Sequence, residues 1–311
     1  MTQTTFGFIT AVLAAAVEAG TPILYAALGE ILTERAGILN LSVEGTMLVG
    51  AVSGFLATVA TGNLAAGILG AAIAGGIIAA IHAFLSVTLK VNQVVSGLSL
   101  SMFATGVSGY LGKPIIGVAA PVSFKSIPIP GLSKIPVLGP MFFNHNLLVY
   151  GSYVLVAFLW YFVYKTRPGL HMRSVGESPR TADSLGINVS FVQYTYTIIG
   201  GALSGIAGAY LSLAYAPSWI EQMTAGRGWI AIALVIFAVW NPLRAMIGAY
   251  LFGGIEALGF RIQVVGATIS PIVLKMMPYI FTIAVLIITT ARSASYKNEA
   301  PQALGVPYER E

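Results

Sequence analysis

Arg173-Ser-Val-Gly-Glu-Ser-Pro-Arg-Thr-Ala-Asp-Ser-Leu-Gly-Ile-Asn188 is a polar, glycine-punctuated island in a chain that is otherwise suited to lipid. Apolar windows of membrane length flank it on both sides, so it has to be a connection between spans. Ser178 stands where an N-cap belongs, Pro179 suits a first helical turn, and Gly186 supplies a C-terminal stop. A short helix from Pro179 to Leu185, parallel to the membrane, follows, with Ala182 small at its centre and Arg180 and Asp183 offering charge to a docking surface. A solvated loop is the competing reading, but a loop needs no such order of cap, helix and stop.

Outward from the island, 57% of the 311 residues are hydrophobic and 9% charged, against roughly 25% charged residues in soluble domains. Apolar windows fall at 6–29, 38–61, 64–89, 93–112, 147–165, 191–214, 229–240, 243–262 and 271–291. The window 229–240 is too short for an upright span and closes on Trp240, Asn241 and Pro242, which makes it a candidate half-helix. The fold class is therefore all-α: a polytopic transmembrane helix bundle of about 8 to 10 spans, including broken or re-entrant segments. Strand-like alternation is missing, which argues against a β-barrel. The chain has no cysteine, and this excludes disulfides, thiolate metal sites and a cysteine nucleophile. No Lys or Arg precedes Arg35, so the first apolar segment lacks the basic start of a cleavable signal and is expected to be retained.

The bases set the direction, because Lys and Arg of short loops stay on the cytoplasmic side. With nine spans starting outside, Arg35, Lys90, Lys165, Arg167, Arg173, Arg180, Arg244, Arg292, Lys297 and Arg310 lie inside; Lys113, Lys125, Lys134, Arg227, Arg261 and Lys275 lie outside. The loop 166–190 and the C-terminus are thus expected in the cytoplasm. The net charge of +5 is a topology signal and not a nucleic-acid patch. The other long connection, 113–146, carries Pro114, Pro121, Pro128, Pro130, Pro136 and Pro140, which favour extended chain and turns over helix. It is expected outside, over the mouth of the bundle, as a plain spacer or as a cap that meets an external partner. Gly50 with Gly54, and Gly201 with Gly205 and Gly208, read as faces where helices approach closely.

Ionisable groups inside spans are costly and point to function; here they are Glu18, Glu30, Glu44, Glu256 and Arg261. In Gly37-Ile-Leu-Asn-Leu-Ser-Val-Glu-Gly45 the polar residues Asn40, Ser42 and Glu44 recur at every second position, whereas neighbours on a helix recur at three and four. This predicts an interrupted or re-entrant segment, tolerated where it lines a cavity. Glu44 is either a group on a substrate path or a carboxyl stabilised by a helix N-terminal dipole. Glu256 and Arg261, five apart near one helix end, suit an ion pair or snorkelling. The amides Asn92 and Gln93 sit at a span end, and His82, His145 and His171 are too isolated from one another to suggest a metal site. No Gly-x-x-x-x-Gly-Lys-Ser/Thr, His-Glu-x-x-His or Gly-x-Ser-x-Gly run occurs, so an ATP-driven version of this protein needs ATP bound elsewhere.

Val175-Gly-Glu-Ser-Pro-Arg-Thr-Ala-Asp-Ser-Leu-Gly-Ile187 resembles the cytoplasmic coupling loop of ABC importer permeases in the branched-chain amino acid, ribose and nucleoside group. Leu28 to Gly45, Trp229 to Pro242, Leu251-Phe-Gly-Gly-Ile-Glu256 and Met277-Pro-Tyr279 are similar to the shorter permease of nucleoside-type importers, so that the likeness extends from about 20 to 290 in one order. The resemblance implies a single permease domain over 1–311 that pairs with a second, non-identical permease and receives substrate from an external binding lipoprotein. A separate ABC ATPase would hold ATP and Mg, this chain binding no cofactor, and would dock on Gly176, Glu177, Ser178, Pro179, Arg180, Ala182, Asp183, Ser184, Gly186 and Ile187. Asn40, Ser42, Glu44, Asn92, Gln93 and Glu256 are then expected near the translocation path. The implied place is the bacterial plasma (inner) membrane, multi-pass, with a cytoplasmic C-terminus and no enzymatic activity in this chain. The substrate expected is a nucleoside, with a ribose-like sugar and a branched-chain amino acid behind it. An uncharged ligand asks for amides, hydroxyls and aromatic walls. An ion-coupled secondary transporter using Glu44 and Glu256 is the competing class, and a membrane-embedded enzyme lacks a catalytic set.

Overall fold

The apolar windows fold into long helices because intrahelical hydrogen bonds are the one way to satisfy a lipid-facing backbone without a closed barrel. The computed structural model describes residues 2–264, 273, 276, 277, 279–284, 287 and 300–309. Helix α1 spans Thr2–Arg35, α2 Val43–Thr61, α3 Leu64–Ala83 with a π-helical extension Phe84–Thr88, and α4 Gln93–Gly112. Then come the short α5 (Leu138–Phe142), α6 (Leu147–Lys165), α7 (Arg167–Glu177) and α8 (Pro179–Ser184). Helix α9 covers Val189–Tyr210 and continues as a π-helix to Tyr215, α10 covers Arg227–Phe237 and α11 Pro242–Val264. A two-residue antiparallel pair, β1 (Ile127–Pro128) and β2 (Asn144–His145), lies in the proline-rich connection.

Six of these helices are long and apolar enough to cross a membrane, those starting at Gly7, Val43, Leu64, Gln93, Leu147 and Val189. The expected count of eight to ten is therefore not reached among the described residues. Helix α10 has 11 residues, or about 16 Å at 1.5 Å per residue, which is a half-span. Helix α11 is 23 residues long and carries Arg244, Glu256 and Arg261 among mostly apolar residues. The window 271–291 falls mostly outside the described residues, as do Pro278 of the Met277-Pro-Tyr279 motif, Lys275, Arg292, Lys297 and Arg310.

Helix α9 is the axis of the bundle and packs on α1, α2 and α3, while α11 lies along α1. The glycines set these distances as the spacing predicted. A Cβ on Gly50 would collide with the backbone of Gly205, one on Gly205 with the Ala71 carbonyl, and one on Gly208 with that of Met47. Backbone cannot yield as a flexible side chain does, so overpacking here exceeds the about 1–3 kcal/mol of an ordinary core. Gly205→Leu is expected to abolish the monodisperse protein recovered in mild detergent, whereas Gly106→Leu, at a site with nothing within 4 Å, leaves the recovery unchanged. Size-exclusion profiles of the two variants check this.

Helix α6, 19 residues long and thus about 28 Å, separates the two long connections, which therefore lie at opposite ends of the bundle. Segment 113–146 is a folded cap at one end. Ala120 N and Phe124 N donate to Pro217 O and Leu213 O at 3.1 and 3.0 Å, and the Tyr150 hydroxyl donates to Ile127 O at 2.8 Å. The loop containing α7 and α8 lies at the other end.

Candidate functional site

Helix α1 stops at Arg35, and the chain takes seven non-helical residues, 36–42, before α2. Gly37 makes the turn at φ +89°, a backbone region that side chains disfavour. A break of this kind survives at membrane depth only if its polar groups are met, and they are. Ile38 N donates to Thr33 O, Leu39 N to Gln93 Oε1 at 2.7 Å, and Asn40 N to Glu30 Oε1 at 3.1 Å. The Leu39 carbonyl lies 3.1 Å from His82 Nε2, whose other nitrogen lies 3.1 Å from Ser96 Oγ. A carbonyl only accepts, so His82 carries a proton on Nε2. Ser42 donates N–H and O–H to Asn40 Oδ1 at 3.0 and 2.6 Å. The predicted interruption is thus present, and it ends at Ser42; Glu44 belongs to the first turn of α2.

A second break follows α9. Residues 216–226 turn without helix, with Gln222, Ala225 and Gly226 at positive φ, before α10 begins at Arg227. Strain of this sort is held by its surroundings, here by the first break. The Glu44 carboxylate accepts the Thr224 hydroxyl at 2.6 Å, Gly226 N–H at 2.8 Å and Gly228 N–H at 2.7 Å. It therefore caps the N-terminus of the half-helix, where orphan N–H groups and the dipole both favour a negative charge. Gly228 is needed for the approach, since a Cβ there would meet the Glu44 backbone. The neighbouring Gly45 N donates to Ser101 Oγ, and Ser101 is eight residues into α4 or about 12 Å along it, so the junction of the two breaks lies well inside the bundle.

Arg227, at the first turn of α10, is 7% exposed and not in an outer loop as its place in the chain suggested. Its guanidinium donates to Met223 O and Thr224 O, pairs closely with Glu256, and lies 5.5 Å from the Tyr215 ring centre. Glu256 therefore does not pair with Arg261, whose guanidinium sits over Phe8 instead. Burial and multiple contacts make this a structural ion pair of the interior. Its sequence signal was the Gly226-Arg227-Gly228 run at the head of an apolar window. Glu34 was also missed. Its Oε2 accepts Trp240 Nε1–H at 2.5 Å and so ties the far end of α10 to the end of α1.

Of the six residues expected near a path, Asn40, Ser42, Glu44 and Gln93 gather at the first break. Asn92 lies at the surface and caps α4, accepting from Val94 N and Val95 N. Glu256 adjoins them through Arg227, which stands between the two glycines that donate to Glu44. Among the described residues no three His, Asp or Glu side chains gather as a metal site.

At the other end, α8 forms as the island predicted, one residue shorter. Ser178 Oγ accepts from Thr181 N, Gly186 has φ +81°, and its N–H and that of Ile187 close onto Asp183 O and Ala182 O, a glycine-terminated helix end. The preceding α7 was not foreseen; Thr166 Oγ1 caps it by accepting from Gly169 N. Gly176 and Ala182 are buried, Gly176 against the Arg35 carbonyl, while Ser178, Pro179, Asp183 and Ile187 are half-buried and Glu177, Arg180, Ser184 and Gly186 exposed. Leu185, at the tip, is 76% exposed. It is a large apolar side chain presented by a polar loop, and it was legible in the sequence only as a helix end.

A bundle with two interrupted segments joined at depth, and a helical loop at one end packed on the end of α1, has the architecture of a membrane transport protein. Residues 12–290 match the family described as the branched-chain amino acid transport system permease component. The chain belongs to this family and is a permease of an ATP-binding cassette transporter. It is 42% identical over 98% of its length to TsgC13 of Haloferax volcanii, provisionally named a glucose ABC transporter permease, covering 99% of that protein. It is 34% identical to the nucleoside ABC transporter permease NupC of Lactococcus lactis, with 93% of each chain covered, and 34% identical to the guanosine ABC transporter permease NupQ of Bacillus subtilis, with 92% of each covered. Among solved structures, PsaBC from Streptococcus pneumoniae in complex with Fab overlays with a TM-score of 0.49 at 15% identity, covering 90% of this chain and 91% of that one.

Proposed function

We propose that this permease forms half of the translocation path of a nucleoside importer of the bacterial plasma membrane, with a second, non-identical permease as the other half. An external binding lipoprotein delivers the substrate. ATP and Mg are held by a separate ATPase that docks on the cytoplasmic loop 166–190, and the C-terminus shares that side. The observation that carries the coupling role is α8 itself: a capped, glycine-terminated helix with Leu185 displayed at its tip, on an arm whose Gly176 abuts the last residue of α1. A push on α8 is thereby passed to α1, to the break at 36–42 and, through Glu44, to α10. Nucleoside is preferred because two relatives at 34% identity over more than nine-tenths of the chain carry nucleoside or guanosine permease names. A sugar is the second reading, favoured by the 42% identity to TsgC13.

Two experiments test this. The binding protein of the same transporter is expected to bind nucleosides in calorimetry; a protein that bound only glucose would move the assignment to sugars. Leu185→Asp and Gly186→Pro are expected to lower ATPase co-purification at least about tenfold, the scale of losing a buried apolar anchor, and to stop uptake while membrane levels hold. Normal association and uptake in both variants would remove the coupling role.

A further inference from the structure

Residues 300–309 return to the same end of the bundle as α7 and α8. Ala303 N donates to Gly176 O at 2.9 Å, so the contact is backbone to backbone on the arm that carries α8. Pro301 is buried, and Leu304 and Tyr308 pack against the main apolar core. Leu304 N to Pro301 O and Val306 N to Ala303 O close turns within the segment, and Lys90 Nζ reaches Glu309 Oε1 at 3.4 Å. Gly176 is thus held from two directions, by Arg35 of α1 and by this strap.

The strap also builds a surface. Tyr308 forms one wall of a cleft of about 390 Å³ whose other walls are Lys90 of the α3–α4 turn and Asp183, Ile187 and Asn188 at the end of α8. The cleft reaches Gly186, the residue after the exposed Leu185, and is lined by both signs of charge, Lys90 and Asp183, which suits a polar protein segment better than lipid. We propose that residues 300–309 are the second half of the docking surface for the ATPase, and that they hold the α7–α8 arm against α1 so that docking on α8 reaches the break at 36–42. This rests on the coupling role given above to α8.

The test is ATPase association and ATP-driven uptake in the assembled transporter carrying wild-type chain, a chain lacking 300–311, Tyr308→Ala, or Leu185→Asp. Truncation is expected to weaken association about tenfold or more, and Tyr308→Ala severalfold, as for loss of an interface aromatic, with pairing to the second permease unchanged. If Leu185→Asp weakens association while truncation and Tyr308→Ala bind as wild type, the strap has no docking role and the coupling role of α8 stands. If all three bind as wild type, the coupling role fails and the strap proposal with it. Should the truncated chain not reach the membrane, Tyr308→Ala, which removes only a ring, decides by the same readout.

Discussion

Arg227→Ala is expected to remove most of the folded permease from the membrane, because it leaves Glu256 a carboxylate without its counter-ion inside the bundle. Breaking a buried pair from one side costs about 3–5 kcal/mol, since the remaining charge keeps its desolvation penalty. The two partners are not equivalent. Arg227 also donates to Met223 O and Thr224 O and lies over Tyr215, so Glu256→Ala leaves a cation that still has acceptors and is expected to be the milder change. The double variant Arg227→Ala/Glu256→Ala should be more stable than Arg227→Ala alone, because the uncompensated charge is gone. Thermal unfolding followed by size exclusion in detergent ranks the three. A double variant as poor as the sum of the singles would show that the pair is not coupled.

Glu44→Ala is expected to abolish transport by a different route. It strands the N–H groups of Gly226 and Gly228 and the Thr224 hydroxyl at the head of α10, each unmet buried donor costing about 1–3 kcal/mol. The turn 222–226, in which Gln222, Ala225 and Gly226 have positive φ, then has less to fix it. Glu44→Gln offers one oxygen, but its NH2 faces donors, so it is expected to recover little. Uptake per folded permease, with membrane levels measured in parallel, checks the prediction. Normal uptake by Glu44→Ala would show that the junction of the two breaks is not needed.

The sequence revealed what local chemistry dictates. Pro179, Ser178 and Gly186 determine α8 through capping and turn preference alone, and the even spacing of Asn40, Ser42 and Glu44 was incompatible with one helix face. What Glu44 bonds to was not legible, because its partners lie far along the chain. Glu44 meets residues 224–228, and Glu34 meets Trp240. The same holds for Arg227, which reads as an outer-loop base until the turn at 216–226 carries it inward, and for Glu256, whose neighbour Arg261 was the nearer partner only in sequence. Half-helices defeat span counting for a physical reason: α10 has the composition of a span at half the length. Gly205 and Gly50 were readable as contact positions because small residues four apart leave few alternatives in lipid.

Reconstitution decides whether a separate ATPase drives this bundle through α7 and α8. Proteoliposomes holding the two permeases and the ATPase, with ATP enclosed on the α8 side and labelled nucleoside with the binding protein on the other, are assayed with and without a protonophore. Uptake that requires ATP and the ATPase, persists with the protonophore and stops with Leu185→Asp is the predicted result. Uptake that proceeds without the ATPase and collapses with the protonophore at constant ATP would contradict it.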